Sequence, residues 1–210
     1  MSWPLTGRER ELRAVGDALA SGTAGGAVIV GAAGVGKTRL AVEAAELAAA
    51  QGCEVAWARA SRSARSIPLG AFAALLPPAG DGVELLSRAR QALAERAAGR
   101  RLVLCVDDGQ LLDDASAALV HQLVAGREAF AIVGLRLDEP APDALRALWK
   151  DDLCVRLDLA ALSEATSWRC STLRSGVRST ARARTLCGRR RAGTRCSCAS
   201  SSATAARAGC

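Results

Sequence analysis

The stretch GAAGVGKTRL, which begins at Gly31, places glycine, lysine and threonine at a spacing that binds phosphate. It fits the pattern of a glycine, four further residues, and then glycine, lysine and serine or threonine. In such a loop the backbone N–H groups converge on phosphate oxygens, and the following helix adds its partial positive charge. The sequence therefore predicts a nucleotide site, with contacts assigned to Gly31, Ala32, Ala33, Gly34, Val35, Gly36, Lys37, Thr38 and Arg39.

Two side chains of this phosphate-binding loop (P-loop) are expected to have separate tasks. Lys37 would reach the β- and γ-phosphates, and the Thr38 hydroxyl would hold Mg²⁺. The expected ligands are therefore ATP or ADP with Mg²⁺. The alternative is a glycine-rich turn before an ordinary helix. The flanking sequence favours the P-loop, because apolar AGGAVIV precedes it and the helical pattern TRLAVEAAELAAAQG follows.

A second group of candidates stands at the ends of two later apolar runs. RLVLCVDDGQ is a buried strand that ends in acids, and we assign Asp107 to the metal, directly or through water. Asp108 is the candidate for polarising an attacking water. The alternative for both carboxylates is that they end a strand and face solvent. Arg136 ends AIVGLRLDEP, where it could lie beside the γ-phosphate or be a surface arginine.

Strands that alternate with helices predict an α/β fold, with a parallel sheet covered by helices on both faces. In such a sheet the ligand lies at the carboxyl ends of the strands, which is where the P-loop falls. The expected strands are 27–30, 54–58, 101–106, 130–135 and 153–157. The expected later helices are 37–50, 68–76, 83–98, 114–125 and 143–149.

Charge divides the chain near residue 165. The whole chain of 210 residues has a formal net charge of +7. All 21 acidic residues and 18 of the basic ones lie in residues 1–165, while residues 166–210 contain ten arginines and no acid. We expect an ordered domain over 1–165 and a disordered basic tail over 166–210. The tail could bind nucleic acid non-specifically, but its composition favours an out-of-frame translation of GC-rich coding DNA.

Two further features of the sequence bear on the location of the protein in the cell and on metal binding. The chain contains no run of 18 uncharged apolar residues, so no transmembrane helix is predicted. The N-terminus also lacks an apolar signal region. A cytoplasmic protein without membrane contact is therefore expected. The single histidine, His121, has no second metal-type ligand beside it and is left out of the site.

The motifs and their order resemble the N-terminal ATPase domain of large ATP-binding LuxR-type transcriptional regulators. The resemblance rests on LTGRERELRAV, GAAGVGKTRLAVEAA, LVLCVDDGQLLDDASAALVHQL and GLRLDEPAPDALRALWKDDL, and it covers about residues 3–165. It implies a AAA-like P-loop NTPase core of the signal-transducing ATPase branch. It further implies that residues 5–8, with Gly7 and Arg8, frame the adenine, that Asp107 serves Mg²⁺, and that Arg136 is a sensor arginine.

Three hypotheses about function follow from these residues and from the resemblance. The favoured one is an ATP-binding regulatory module that hydrolyses slowly if at all. In the resembling family DNA is bound by a C-terminal helix-turn-helix, which we expect to be absent here, as is the helical lid. The alternatives are a turnover-competent AAA-type ATPase or P-loop kinase, and a basic nucleic-acid-binding protein that uses the arginine-rich tail. Self-association is left open.

Overall fold

The computed structural model describes residues 7–76 and 85–161, which alternate between helices and strands. The basic tail expected over 166–210 lies outside the described residues. The elements in chain order are α1 Glu9–Ser21, β1 Gly26–Gly31, α2 Lys37–Ala50, β2 Glu54–Arg59, α3 Leu85–Ala97, β3 Leu102–Asp107, α4 Asp114–Ala125, β4 Ala129–Arg136, α5 Asp143–Lys150 and β5 Val155–Leu159. Short 3-10 turns occur at Ala64–Ser66, Gly70–Phe72 and Gly109–Leu111.

The five strands form one parallel sheet in the order β2-β3-β4-β1-β5. Helices α1 and α2 pack on one face, and α3, α4 and α5 pack on the other. Because both faces are covered, β1 is buried along its whole length and β3 and β4 up to their last residues. The α/β fold with a helix-flanked parallel sheet is confirmed.

Alternate residues of the central strands belong to the two separate halves of the core. In β3, Leu104 packs into the α3–α5 half, and its neighbour Cys105 packs into the α1–α2 half. This follows from the period of two along a strand, which sends successive side chains to opposite faces. The buried Cys105 thiol has its pKa raised by desolvation to about 12, so it behaves as a small apolar residue.

Two predicted elements differ from the structure. The helix expected over 68–76 is replaced by the turn Gly70–Phe72, because Leu69 adopts a left-handed φ of 56° that an α-helix does not allow. The last strand begins at Val155 rather than 153. The Cys154 N–H donates to the Leu148 carbonyl of α5 at 2.8 Å, so this N–H is bonded to the end of the helix and not within the sheet.

The sheet order brings the candidate residues to one edge. β4 lies between β1 and β3, so the P-loop after β1, the acids at the end of β3 and Arg136 at the end of β4 are neighbours. In the register of β1 and β4, Gly31 is opposite Arg136. Within the described residues, no helix is both long and apolar enough to cross a membrane.

Candidate nucleotide-binding site

The P-loop connects β1 to α2 and takes a conformation that depends on glycine. Gly34 has a φ of 77° and Gly36, which precedes the first turn of α2, has a φ of 98°. A side chain at either position would be strained by the backbone rather than by neighbours, since no heavy atom lies within 4 Å of an added Cβ. The loop therefore leaves open space above its backbone, as a phosphate cradle requires.

Gly31 is needed for a different reason, which is close packing. A Cβ at Gly31 would lie 2.8 Å from the carbonyl oxygen of Leu159 in β5. No side chain fits there without moving the strand, so Gly31 lets the P-loop leave the sheet beside β5.

Lys37 is buried, with 7% of its surface exposed, and its ammonium group lies over the loop. Its Nζ donates to the carbonyl oxygens of Gly31 at 2.9 Å and Ala32 at 2.8 Å. Both acceptors are carbonyls at the start of the P-loop itself, so a phosphate bound above the loop can replace them as the acceptor of the Lys37 N–H groups. The arrangement places a fixed positive charge where a nucleotide phosphate would bind.

Thr38 and Asp107 meet at the centre of the site. Thr38 Oγ1 donates to Asp107 Oδ2 at 2.8 Å, and the Asp108 N–H donates to Asp107 Oδ1 at 3.1 Å. A hydroxyl and a carboxylate oxygen are ligands that suit Mg²⁺, which takes its remaining ligands from phosphates and water. Across residues 7–76 and 85–161, no three His, Cys, Asp or Glu side chains form a separate metal cluster. The pair fits an Mg²⁺ ion that is shared with a nucleotide.

Asp108 and Arg136 form an ion pair at the same edge of the sheet. The Arg136 guanidinium donates through Nε to Asp108 Oδ1 at 3.1 Å and through Nη2 to Oδ2 at 3.4 Å. Gln110 Nε2 also donates to Asp108 Oδ1, at 2.9 Å. Arg136 is held from its other side by Glu139 Oε1 at 2.9 Å. Both oxygens of the candidate catalytic carboxylate therefore already have donors.

These contacts set the charge of Asp108. Partial burial alone would raise its pKa. Hydrogen bonds from Gln110 and Arg136, with the charges of Arg136 and Lys37, outweigh burial and hold the pKa of Asp108 below its ordinary value. The same hydrogen bond and the Asp108 charge, followed by Glu139, raise the pKa of Arg136. The pair is thus ionised at neutral pH.

Arg8, the residue directly before α1, contacts the P-loop. Its Nη2 donates to the Val35 carbonyl at 3.2 Å and to the Ala160 carbonyl, and its Nη1 pairs with Glu11 at 3.1 Å. Arg8 is 6% exposed, and its Nε is a buried donor with no partner among the described residues. Gly7 is exposed, and its N–H donates to Glu9 Oε1 at 3.0 Å. Arg8 thus lies beside the loop, and the contact of Gly7 and Arg8 with adenine stays a prediction.

The match to a known family agrees with this geometry. Residues 4–137 match the family described as AAA ATPase domain. The chain belongs to that family. The assignment supports the P-loop, AAA and nucleotide-binding parts of the prediction, while the resemblance to LuxR-type regulators stays a prediction. No curated protein matches the chain.

Solved structures show the same AAA fold. DnaA from Aquifex aeolicus bound to AMPPCP aligns with a TM-score of 0.55 and 15% identity, over 86% of this chain and 56% of that one. A DNA replication initiation factor aligns with a TM-score of 0.55 and 16% identity, over 81% and 51%. A RuvB variant from Thermotoga maritima aligns with a TM-score of 0.51 and 16% identity, over 81% and 51%. The chain spans about half the length of these three, and the likeness concerns the fold alone.

The remaining predicted contacts of this AAA ATPase domain lie at the edge of the loop. Ala32 and Ala33 are exposed, so their backbone is open to a ligand. Arg39 pairs with Glu43 one turn along α2. A phosphate contact by Arg39 stays a prediction that the ion pair with Glu43 does not favour.

Three residues of the AAA site were not predicted from the sequence. Gln110 is 2% exposed; besides its bond to Asp108, its Oε1 accepts from the Arg136 N–H at 3.2 Å. The others, Trp57 and Arg59, line a cavity of about 490 Å³ beside Thr38 and Asp107. Its wall comprises Thr38, Val42, Trp57, Ala58, Arg59, Ala60, Asp107 and Asp108. One signal could have identified Arg59, because it ends a predicted strand as Asp107 and Arg136 do.

Proposed function

We propose that this AAA ATPase domain is a regulatory module that binds ATP or ADP with Mg²⁺ and hydrolyses ATP slowly if at all. The observation that carries the proposal is the hydrogen bond between Thr38 and Asp107, directly beside the buried Lys37 and the open P-loop. These residues supply a cation for phosphate and two oxygen ligands for a metal in one place.

Each residue has a defined part in binding. Lys37 would exchange its two loop carbonyls for phosphate oxygens, and the N–H groups of residues 32–37 would orient the phosphates. Thr38 and Asp107 would hold Mg²⁺, which neutralises phosphate charge when bound. Arg8 would keep the N-terminal segment against the loop, which supports its assignment to the adenine side.

Slow turnover is supported by the contacts of Asp108. A base that polarises water needs a free carboxylate oxygen aimed at that water. Asp108 instead accepts from Arg136 and Gln110, and its lowered pKa makes it a weak proton acceptor. Hydrolysis would require this ion pair to open, so the bound nucleotide is better suited to hold a conformation than to be turned over.

The wider role that we propose is based on the resemblance to LuxR-type regulators and not on the solved structures that share the fold. In this proposal residues 1–165 form the ATP-binding domain of a cytoplasmic signal-transducing ATPase. DNA contact would then belong to a separate C-terminal domain. DnaA has been solved with AMPPCP and single-stranded DNA, but at 14% identity that neighbour gives no reason to assign DNA contact to this domain.

The proposal is tested on the full chain with ATP, ADP and Mg²⁺. We expect both nucleotides to bind, with affinity that depends on Mg²⁺, and single-turnover hydrolysis to be much slower than nucleotide exchange. Fast multiple turnover would favour the alternative of a competent AAA-type ATPase or P-loop kinase. Nucleic-acid binding without nucleotide binding would favour the third hypothesis, a basic protein acting through its tail.

A further inference from the structure

Arg59 is a cation at the edge of the nucleotide site whose charge is not used by the fold. It is the last residue of β2 and is exposed. Within residues 7–76 and 85–161, the Arg59 side chain has no hydrogen bond or ion pair, whereas the side chains of Arg8, Arg39 and Arg136 all have carboxylate partners. A long cationic side chain without a partner beside a phosphate site needs a separate explanation.

The strand register fixes the position of the Arg59 backbone in the sheet. In the pairing of β2 and β3, Arg59 is directly opposite Asp107, the candidate metal ligand. Neighbouring strands are about 4.8 Å apart. The backbone of Arg59 is therefore one strand spacing from the residue that holds Thr38 in a hydrogen bond.

The alternation along β2 fixes the direction of its side chains. Val55 and Trp57 pack against the α1–α2 half of the core, while Ala56 and Ala58 belong to the α3–α5 half. Arg59 continues the row of Val55 and Trp57, so it leaves the strand on the α2 side. Thr38 lies in the first turn of α2 on that side, and both Thr38 and Arg59 line the 490 Å³ cavity.

Arg59 forms no ion pair with the two acids that line this cavity. Asp108 is paired with Arg136, and Asp107 accepts hydrogen bonds from the Thr38 hydroxyl and from the Asp108 N–H. A nucleoside triphosphate on the P-loop would direct its terminal phosphate toward the Thr38–Asp107 pair, and so toward this cavity. A diphosphate would not extend that far.

We propose that Arg59 is the residue that discriminates nucleoside triphosphate from diphosphate in this domain. Its guanidinium engages the terminal phosphate from the β2 side, opposite Lys37. Arginine suits this task because its planar group can donate two parallel hydrogen bonds to phosphate oxygens. The inference rests on the proposed function, since it assumes that the P-loop binds the nucleotide.

The test compares the Mg²⁺–ATP and Mg²⁺–ADP dissociation constants, each by equilibrium titration of the full chain. Arg59→Ala is expected to weaken the affinity for ATP about 10- to 100-fold, as for loss of charge-assisted hydrogen bonds. The affinity for ADP is expected to change by less than about twofold. Arg59→Lys keeps the charge but not the paired donors, so it should recover part of the ATP affinity. Arg62→Ala is the matched control, because Arg62 is also exposed and lies three positions further along.

Three results would overturn the inference. Equal losses for ATP and ADP would mean that Arg59 supports the site without contacting the terminal phosphate. Unchanged affinities for both nucleotides in Arg59→Ala would make it an ordinary surface arginine, with the proposed function left standing. Failure of the unmodified chain to bind either nucleotide would remove the proposed function and this inference together. Circular dichroism on each variant excludes unfolding as the cause.

Discussion

Thr38 and Asp107 are 69 positions apart in the chain, and the Thr38 hydroxyl donates to the Asp107 carboxylate at 2.8 Å. Thr38 lies in the first turn of the helix that follows β1, and Asp107 ends β3, two strands away in the sheet. The contact exists because parallel strands end at a common edge, where the first turn of α2 reaches across β4. In the function that we propose, this contact marks the position at which Mg²⁺ and a phosphate are bound together.

Asp107→Asn should uncouple nucleotide binding from Mg²⁺. The amide keeps the size of the side chain but removes the negative charge that favours a divalent cation. We expect the gain in ATP affinity on adding Mg²⁺ to fall by about tenfold or more, as for loss of one charge-assisted contact. Titrations with and without Mg²⁺ measure it. Asp151→Asn, at an exposed position after α5, is the control. An intact Mg²⁺ effect in Asp107→Asn would remove Asp107 from the metal site.

The Asp108→Asn variant should still bind ATP, but any hydrolysis by the chain should be suppressed. Asparagine tolerates the left-handed φ of 51° at this position, so the backbone need not change. Loss of a general base typically lowers the rate by about 10²- to 10⁴-fold. ATP affinity and single-turnover rates check the two parts separately. Equal rates in the variant and the unmodified chain would show that Asp108 does not act on the attacking water.

The ion pair between Asp108 and Arg136 makes a prediction about pH. Because the folded pKa of Asp108 lies below its unfolded value, the pair stabilises the fold above the ordinary aspartate pKa of about 3.9. That contribution is lost as pH falls through the lower folded value. Asp108→Asn should therefore lower the unfolding temperature at pH 7, with a difference that shrinks below about pH 4. An unchanged difference down to acid pH would mean that the ion pair does not contribute to stability.

Leu104→Ala should destabilise the domain by about 2–5 kcal/mol, because it removes a fully buried side chain from the central sheet. Leu137→Ala is the matched control, since Leu137 is 61% exposed after the end of β4. Its cost is expected to stay within about 0.5 kcal/mol. Denaturant unfolding of both variants gives the two free energies. Similar values for the two would contradict the described burial.

The sequence predicted the central strands well for a physical reason. β3 and β4 are covered on both faces, so they are apolar at nearly every position and stand out as continuous runs. β5 lies at the edge of the sheet and is largely exposed, which explains why its start was placed two residues early. The turn at Gly70–Phe72 depends on the local conformation of Leu69, which apolar spacing does not encode.

The site residues that belong to a local sequence motif could be predicted. The residues that come together only because the chain folds could not. The P-loop and the acids after β3 have local patterns, so Lys37, Thr38 and Asp107 could be assigned from the chain. The contacts of Gln110 with Asp108 and Arg136 depend on the spacing between β3 and β4. The place of Arg59 depends on β2 being the neighbour of β3, and strand order cannot be obtained from one sequence.

The most direct measurement is equilibrium binding of Mg²⁺–ATP to the unmodified chain, Lys37→Ala and Lys150→Ala. Lys37 is the buried cation of the P-loop, and Lys150 is an exposed lysine at the end of α5. We predict that Lys37→Ala loses at least about tenfold in affinity, through loss of its charge-assisted contact with phosphate, while Lys150→Ala binds as the unmodified chain does. Undiminished affinity in a folded Lys37→Ala variant would contradict the assignment of this site.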